Sequence, residues 1–269
     1  MKYLPMNLSE LIAPTTAIAK SAGAAILEIY KSNFSITEKK DSSPLTEADL
    51  RSHKIIIDGL KSIKPELPII SEEMPLQSYK ERKQWTQYWL IDPLDGTKEF
   101  VKRNGEFTVN IALIENHKPV LGIVHVPIKS LTYIGCEGVG SKIDDPIKGE
   151  RIIKVKRNPG NPIRIVESRS HRENTLEKFL TGIKNYKLQP IGSSLKFCIV
   201  AEGNADLYPR FGPTSEWDTA AAQAVVEQAG GLVLTTDGAQ LQYNTKQDIL
   251  NPHFFVIGSH KLQNLFIEK

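Results

Sequence analysis

Two stretches near the start of the chain place apolar residues at helical spacing, residues 8–31 and residues 46–63. In the second, Leu50, Ile55, Ile56 and Leu60 are available for one buried face, Thr46 is the expected N-cap, and Asp49 falls in the first turn. Further on the period shortens. Residues 107–114, 119–126 and 131–136 are short apolar runs separated by turn residues, which predicts an antiparallel meander. Two other short apolar runs, residues 68–71 and 89–91, read as strands that end in acids. Beyond residue 160 the pattern alternates. Strands are expected at residues 163–167, 206–208 and 254–257, and helices at 175–180, 194–202 and 218–228, the last stopped by Gly230-Gly231. Such a mixture predicts an α/β (α+β) fold of sheets covered by helices. Residues 144–160 are rich in charge, Pro and Gly and are the expected boundary between a half at 1–150 and a half at 151–269, closed into one compact unit.

Composition changes this picture little. The 269 residues are enough for a full core, and 40% apolar with 24% charged residues is ordinary for a soluble globular protein. A formal charge of +3 gives no case for a nucleic-acid polymer or a membrane surface as partner. Cys136 and Cys198 make no disulfide framework, so a reducing compartment is expected. Residues 11–19 are uncharged, but Glu10 and Lys20 bracket them and Pro14 interrupts them, so they read as a buried helix face rather than a secretory leader or membrane span. No transmembrane segment is expected elsewhere. The expected location is the cytoplasm, with peripheral attachment at the inner membrane left open.

The candidate chemistry is concentrated in Asp92-Pro93-Leu94-Asp95-Gly96-Thr97. Pro93 cannot donate a ladder bond and is expected to end the strand after Asp92. Two carboxylates and the Leu94 carbonyl then offer hard oxygen ligands for Mg²⁺. Gly96 permits a sharp turn, and Gly96 and Thr97 can offer N–H and hydroxyl donors to a phosphate at a helix start. An ordinary turn has the same composition, so this run alone leaves both readings open. Upstream, Glu72-Glu73 follows a strand. Downstream, Asp218 in Ser215-Glu216-Trp217-Asp218-Thr219-Ala220-Ala221 is expected to open a helix. Each has a plain explanation as a solvated loop or a helix-start acid.

Together, in this order, these motifs resemble the inositol monophosphatase superfamily of metal-dependent, lithium-sensitive phosphomonoesterases. The resemblance includes the Asp41 to Asp49 stretch and covers residues from about Asn7 to about Ser259. Ser168-Arg169-Ser170-His171, Gly192-Ser193-Ser194-Leu195-Lys196-Phe197-Cys198 and Leu207-Tyr208-Pro209-Arg210-Phe211-Gly212 are similar to the bacterial 3′(2′),5′-bisphosphate nucleotidase branch.

The resemblance implies a layered α/β sandwich and two or three Mg²⁺ ions per site. Glu72, Asp92 and the Leu94 carbonyl would hold one metal; Asp92, Asp95 and Asp218 the second; a weaker third would share Glu72. Four carboxylates in one cleft are untenable without cations, and two ions roughly 4 Å apart would neutralise them. Asp49 and Thr97 match the pair that activates the attacking water for in-line displacement, and Gly96 and Thr97 would hold the phosphate. Ser193, Lys196 and Arg210 become contacts for a second phosphate, since guanidinium grips phosphate oxygens in a fork; Arg169 is a further candidate. Glu73 and His171 are left out of the site. The implied activity is removal of the 3′-phosphate of adenosine 3′,5′-bisphosphate, with the sulfated analogue as a second substrate and clearance of a sulfate-activation by-product as the role. Alternatives are inositol 1-phosphate or fructose 1,6-bisphosphate on the same fold, or a non-catalytic nucleotide- or metal-binding protein. The partner is a small-molecule nucleotide; oligomeric state stays unassigned. One departure is Ala222, where the family has glycine, and its methyl is expected to crowd a neighbour.

Overall fold

The computed structural model describes residues 6–32, 35–38, 44–170 and 174–266. His171 and residues 41–43 of the quoted motifs lie outside them. Helix α1 (Leu8–Tyr30) is followed by a hairpin, β1 (Ile36–Glu38) and β2 (Pro44–Thr46), and by α2 (Glu47–Ser62). Then come β3 (Ile69–Ser71), α3 (Tyr79–Arg82), β4 (Gln87–Asp95), α4 (Thr97–Val101) and the meander β5 (Thr108–Glu115), β6 (Lys118–Val126), β7 (Leu131–Cys136), β8 (Gly140–Asp145) and β9 (Gly149–Ile152). The remainder is β10 (Ile163–Ser168), α5 (Asn174–Thr181), β11 (Tyr186–Ile191), α6 (Leu195–Ala201), β12 (Leu207–Arg210), α7 (Ala220–Gln228), β13 (Leu232–Thr235), β14 (Phe254–Ile257) and α8 (His260–Phe266).

Seven strands form one sheet in the order β3-β4-β5-β6-β7-β8-β9, and five form a second in the order β11-β10-β12-β14-β13. Strand side chains alternate in direction, so each sheet feeds two cores. On the first sheet Trp89 and Ile91 face α1 and α2, meeting Ile26 and Ile56. Tyr88 and Leu90 face the other way, into a central core with α6, α7 and the inner side chains Val166, Tyr208 and Val256 of the second sheet. Ile165, Leu207 and Ile257 point outward to Leu176 and Leu180 of α5 and Leu262 of α8. The result is five layers, helix–sheet–helix–sheet–helix, as the layered α/β expectation requires.

Three local expectations change. Leu50 is half exposed, because the buried stripe of α2 runs Ala48, Ser52, Ile56, Leu60 and Leu50 falls off that i, i+4 row. Pro93 does not end β4. Asp92 pairs with Asn110 and Asp95 with Thr108, so the register slips in a bulge and the strand continues. On its other side β3 stops opposite Ile91, and Pro93 lies where no ladder bond is lost. Asp218 lies in a 3₁₀ turn (Glu216–Asp218), and the helix opens only at Ala220. Residue 150, the expected boundary, falls inside β9, which completes the first sheet. Ala222 is fully buried in the central core. The close approach of α7 to the first sheet depends on two other positions. A Cβ at Gly122 would lie 2.0 Å from the Ala221 carbonyl oxygen, and one at Gly135 would lie 2.5 Å from the Ala224 backbone.

Candidate active site at the strand ends

The ends of β3 and β4, the start of α4, the β11–α6 loop, β12 and the turn before α7 converge on one cleft of about 300 Å³. It is lined by Glu72, Asp92, Leu94, Asp95, Gly96, Thr97, Ser193, Lys196, Arg210 and Asp218 together with residues the sequence did not single out. Asp49 touches it through Thr97. The structure thus brings the predicted site residues to one place, with Arg169 the exception.

The acid end follows from register. β3 and β4 run parallel, with Ser71 opposite Ile91 and the Glu72 N–H donating to the Ile91 carbonyl at 3.3 Å. Glu72 and Asp92 therefore leave their strands side by side. Asp218 approaches from the 3₁₀ turn, and one carboxylate oxygen from each of the three lies within 4.8 Å of the others. Asp92 is almost fully buried; its Oδ1 accepts from the Leu94 N–H at 3.0 Å, while Oδ2 is buried without a hydrogen-bond partner. Burial first, then the charges of Glu72, Asp95 and Asp218, push the Asp92 carboxyl well above the usual range. Burial, Asp95 and Glu72 do the same to Asp218. An orphaned buried carboxylate oxygen among clustered acids is the donor set that a hard divalent cation fits.

Asp95 is placed differently. Its Oδ2 accepts from the Ser194 N–H at 2.5 Å, from Asn110 Nδ2 at 3.4 Å and from Thr108 Oγ1 at 3.5 Å. Burial raises its pKa to about 6, opposed by the charge of Lys196 and the Ser194 hydrogen bond. Asp95 thus joins the first sheet to the Gly192-Ser193-Ser194 loop.

Asp49 and Thr97 meet. Thr46 caps α2, and both its N–H and its hydroxyl donate to Asp49 Oδ2, at 2.7 and 2.6 Å. Asp49 Oδ1 is left to accept from Thr97 Oγ1 at 3.2 Å. Gly96 adopts φ +90°, and a Cβ there would lie 3.0 Å from the Glu106 carbonyl oxygen and 3.2 Å from Ser193 Cβ, so only glycine fits this junction.

The cationic end is buried too. Lys196 Nζ donates to the Ser193 carbonyl at 2.5 Å and lies 5.3 Å from the centre of the Tyr208 ring. Burial lowers its pKa to about 8, against the raising effect of Asp95. Arg210 donates through Nε to Thr214 Oγ1 and through Nη2 to the Pro213 carbonyl, both at 2.6 Å. Arg169 does not line the cleft. It forms a two-bond pair with Glu106, at 2.7 Å each, and donates to the Pro190 carbonyl. Its charge is already paired, which corrects its reading as a phosphate contact.

Sequence reasoning passed over Glu99, Ser194 and Asn110. Glu99 is buried in the cleft wall and accepts from Ser170 Oγ at 2.5 Å. Ser194 Oγ donates to Asn110 Oδ1 at 2.8 Å. A lone Asn within the apolar run 107–114 was the available signal for Asn110, and Glu99 follows Thr97 by two positions on the expected helix.

Comparison with known proteins gives the family of the chain. The inositol monophosphatase family model matches residues 7–269. A 3′(2′),5′-bisphosphate nucleotidase CysQ of Shigella flexneri is 46% identical over 241 residues, 89% of this chain and 96% of that protein. The CysQ of Haemophilus influenzae is 36% identical over 94% of this chain and 95% of its own length. The crystal structure of CysQ from Bacteroides thetaiotaomicron superposes with a TM-score of 0.83 at 39% identity, covering 93% of this chain and 98% of that one. With a family model matched along almost its whole length, the chain belongs to the inositol monophosphatase family.

Proposed function

We propose that this protein is a metal-dependent phosphomonoesterase that removes the 3′-phosphate of adenosine 3′,5′-bisphosphate, releasing AMP and phosphate. The observation that carries this reading is the polarity of the cleft: clustered carboxylates with an orphaned oxygen at one end, and two buried cations, Lys196 and Arg210, at the other. A single phosphate ester needs only the first end. A bisphosphate uses both.

Glu72, Asp92, Asp95, Asp218 and the Leu94 carbonyl would hold two or three Mg²⁺ ions, which when bound supply positive charge to the phosphate and lower the pKa of water. The residues of the chain do the rest. Asp49 Oδ1 holds the Thr97 hydroxyl, so the Thr97 oxygen can take a proton from the attacking water as its own passes to Asp49. In-line attack then breaks the bond from phosphorus to the ribose 3′-oxygen, which takes a proton from solvent water and leaves as the 3′-hydroxyl, while Asp49 returns its proton to solvent. Backbone N–H groups at Gly96 and Thr97, the N-cap and first residue of α4, have no partner within that helix and would donate to the phosphate. Arg210, its plane fixed by Thr214 and Pro213, and Lys196 with Ser193 grip the second phosphate.

The same polarity suits the sulfated analogue, whose 5′ group is also anionic, and a role in clearing a by-product of sulfate activation. We read the two sheets as two halves closing on one cleft. No described helix is long and apolar enough to cross a membrane. We further propose a reducing compartment, the cytoplasm, in keeping with the free Cys136 and Cys198. The deciding experiment measures phosphate release from adenosine 3′,5′-bisphosphate, inositol 1-phosphate and fructose 1,6-bisphosphate, each with Mg²⁺ and with chelator. Chelator-sensitive preference for the nucleotide is the expected result. Preference for either sugar phosphate overturns the substrate, and silence on all three overturns the enzyme.

A further inference from the structure

The turn that carries Asp218 is gripped from outside by one short segment, residues 244–251. Asn251 Nδ2 donates to the Ser215 carbonyl at 2.9 Å and to Thr219 Oγ1 at 3.0 Å. One side-chain amide therefore holds the residue three before Asp218 and the residue after it. The Asn251 N–H donates to the Thr214 carbonyl at 2.8 Å, and Leu250 bridges to Ser215. The Glu216 N–H donates to the Ile249 carbonyl and its Oε2 accepts from the Asn244 N–H, both at 2.8 Å. Within the turn, the Ser215 N–H already orients Asp218 by donating to its Oδ2 at 2.8 Å. The outer bonds set where the whole turn sits.

The other end of the segment is tied to the element that leads into β4. Arg82, at the end of α3, is fully buried. Its guanidinium donates to Asn244 Oδ1, to the Gln247 carbonyl and, at 3.0 Å, to the Lys246 carbonyl. The Arg82 carbonyl accepts from Asn244 Nδ2 at 2.6 Å. A continuous path thus runs from α3 through residues 244–251 to the two flanks of Asp218. It matters because Asp218 faces Glu72 and Asp92, and like charges push it away. A turn free to swing would relax outward in the metal-free protein and would have to be drawn back on binding. Holding it in place puts that cost into folding and removes it from metal binding.

We propose that Asn251 and Arg82 are positioning residues that keep Asp218 within reach of Glu72 and Asp92, and so set the affinity of this site for a divalent cation. The inference rests on the reading of those three carboxylates as metal ligands. The test is calorimetric titration of Mg²⁺ into the whole metal-free protein. Asn251→Ala and Arg82→Met are each expected to weaken Mg²⁺ binding about tenfold, the lower end of what outer partners of metal ligands contribute. Turnover should recover as Mg²⁺ is raised, because the acids themselves are intact. Melting in chelator reports folding separately. If Asn251→Ala does not fold, Asn251→Ser is titrated in its place, with the same two outcomes. A folded variant that binds Mg²⁺ within about twofold of the wild type overturns the proposal. So does Asp218→Asn with unchanged affinity, since the ligand assignment then falls. A wild type that binds Mg²⁺ yet releases no phosphate from the bisphosphate nucleotide defeats the proposed activity alone, and the titrations still decide the positioning role.

Discussion

The two ends of the cleft are stabilised in opposite ways. At the acid end Glu72, Asp92 and Asp218 are brought together by strand register and a tight turn, and burial with the neighbouring charges makes ionisation of Asp92 and Asp218 less favourable. At the cationic end Lys196 is met by the Ser193 carbonyl and the Tyr208 ring, and Arg210 by the Pro213 carbonyl and Thr214. Asp92 Oδ2 is buried without a hydrogen-bond partner; the cations have theirs. One end is therefore a donor set that suits a divalent cation, the other a preformed grip. Damage to the first should appear in turnover and damage to the second in substrate affinity, and that division can be tested.

The largest effect is expected from Asp95→Asn. Its carboxylate joins the acid end to the Ser194 N–H. An amide that keeps its oxygen on Ser194 presents a neutral NH₂ to the metal site, and one that flips loses the Ser194 bond. Turnover should fall at least about a hundredfold, the order that misplacement of a reacting group costs, with KM little changed. Steady-state kinetics on adenosine 3′,5′-bisphosphate at saturating Mg²⁺ measure it. Wild-type turnover would remove Asp95 from the acid end.

Arg210→Met keeps the apolar stem and removes the fork. A charge-assisted hydrogen bond contributes about 1.5–3 kcal/mol, so KM for the bisphosphate should rise about tenfold to a hundredfold. Adenosine 3′-monophosphate has no second phosphate, and its KM should be unchanged by the same substitution. An equal loss on both substrates would mean that Arg210 supports the fold around Thr214 and takes no part in recognition.

The acid end could be read from the chain because its parts are local. Asp92, Leu94, Asp95, Gly96 and Thr97 lie within six consecutive residues, and Glu72 and Asp218 each lie beside an element whose pattern is visible. What the sequence could not convey is how those elements terminate. Pro93 looked like a strand end because its missing N–H matters only if a partner strand is present, and β3 has already stopped there. Asp218 looked like the first residue of a helix, whereas the Ser215–Asp218 capping box closes a separate turn before Ala220. β11 escaped notice because it is an edge strand with mostly exposed side chains, and β8 and β9 because only alternate residues of β8, and none of β9, are buried. The cationic end was legible only through family resemblance. Lys196 and Arg210 are separated along the chain and have the look of surface bases until the fold buries both. Arg169 shows the converse, since Glu106, its partner, is far away in sequence.

The smallest effect tests whether the grip really is preformed. Lys196 is buried beside Asp95, Arg210, Glu99 and Asp218, and burial outweighs the acids to bring its pKa down to about 8. An unfolded lysine keeps its proton to about 10.4. Between these values the unfolded chain binds more protons than the folded one, so this residue makes stability rise with pH across that window. Below about pH 8 the folded protein carries a protonated, buried ammonium, and the full cost is present. Lys196→Met removes the titration while keeping an unbranched chain of similar length. Relative to wild type, the variant should be most stable at pH 7, and its advantage should shrink steadily up to pH 10, by an amount on the order of 2 kcal/mol. Denaturant melts of both proteins in chelator measure the difference, in which titrating groups out of reach of Lys196 cancel; Asp95, which loses its neighbouring cation in the variant, narrows the gap in the same direction as pH rises. A gap that stays constant from pH 7 to pH 10 would mean that Lys196 titrates as it does in water. The ammonium would then be solvated in the free enzyme and drawn in only by substrate, and the two ends of the cleft would share one principle, each completed by what binds there.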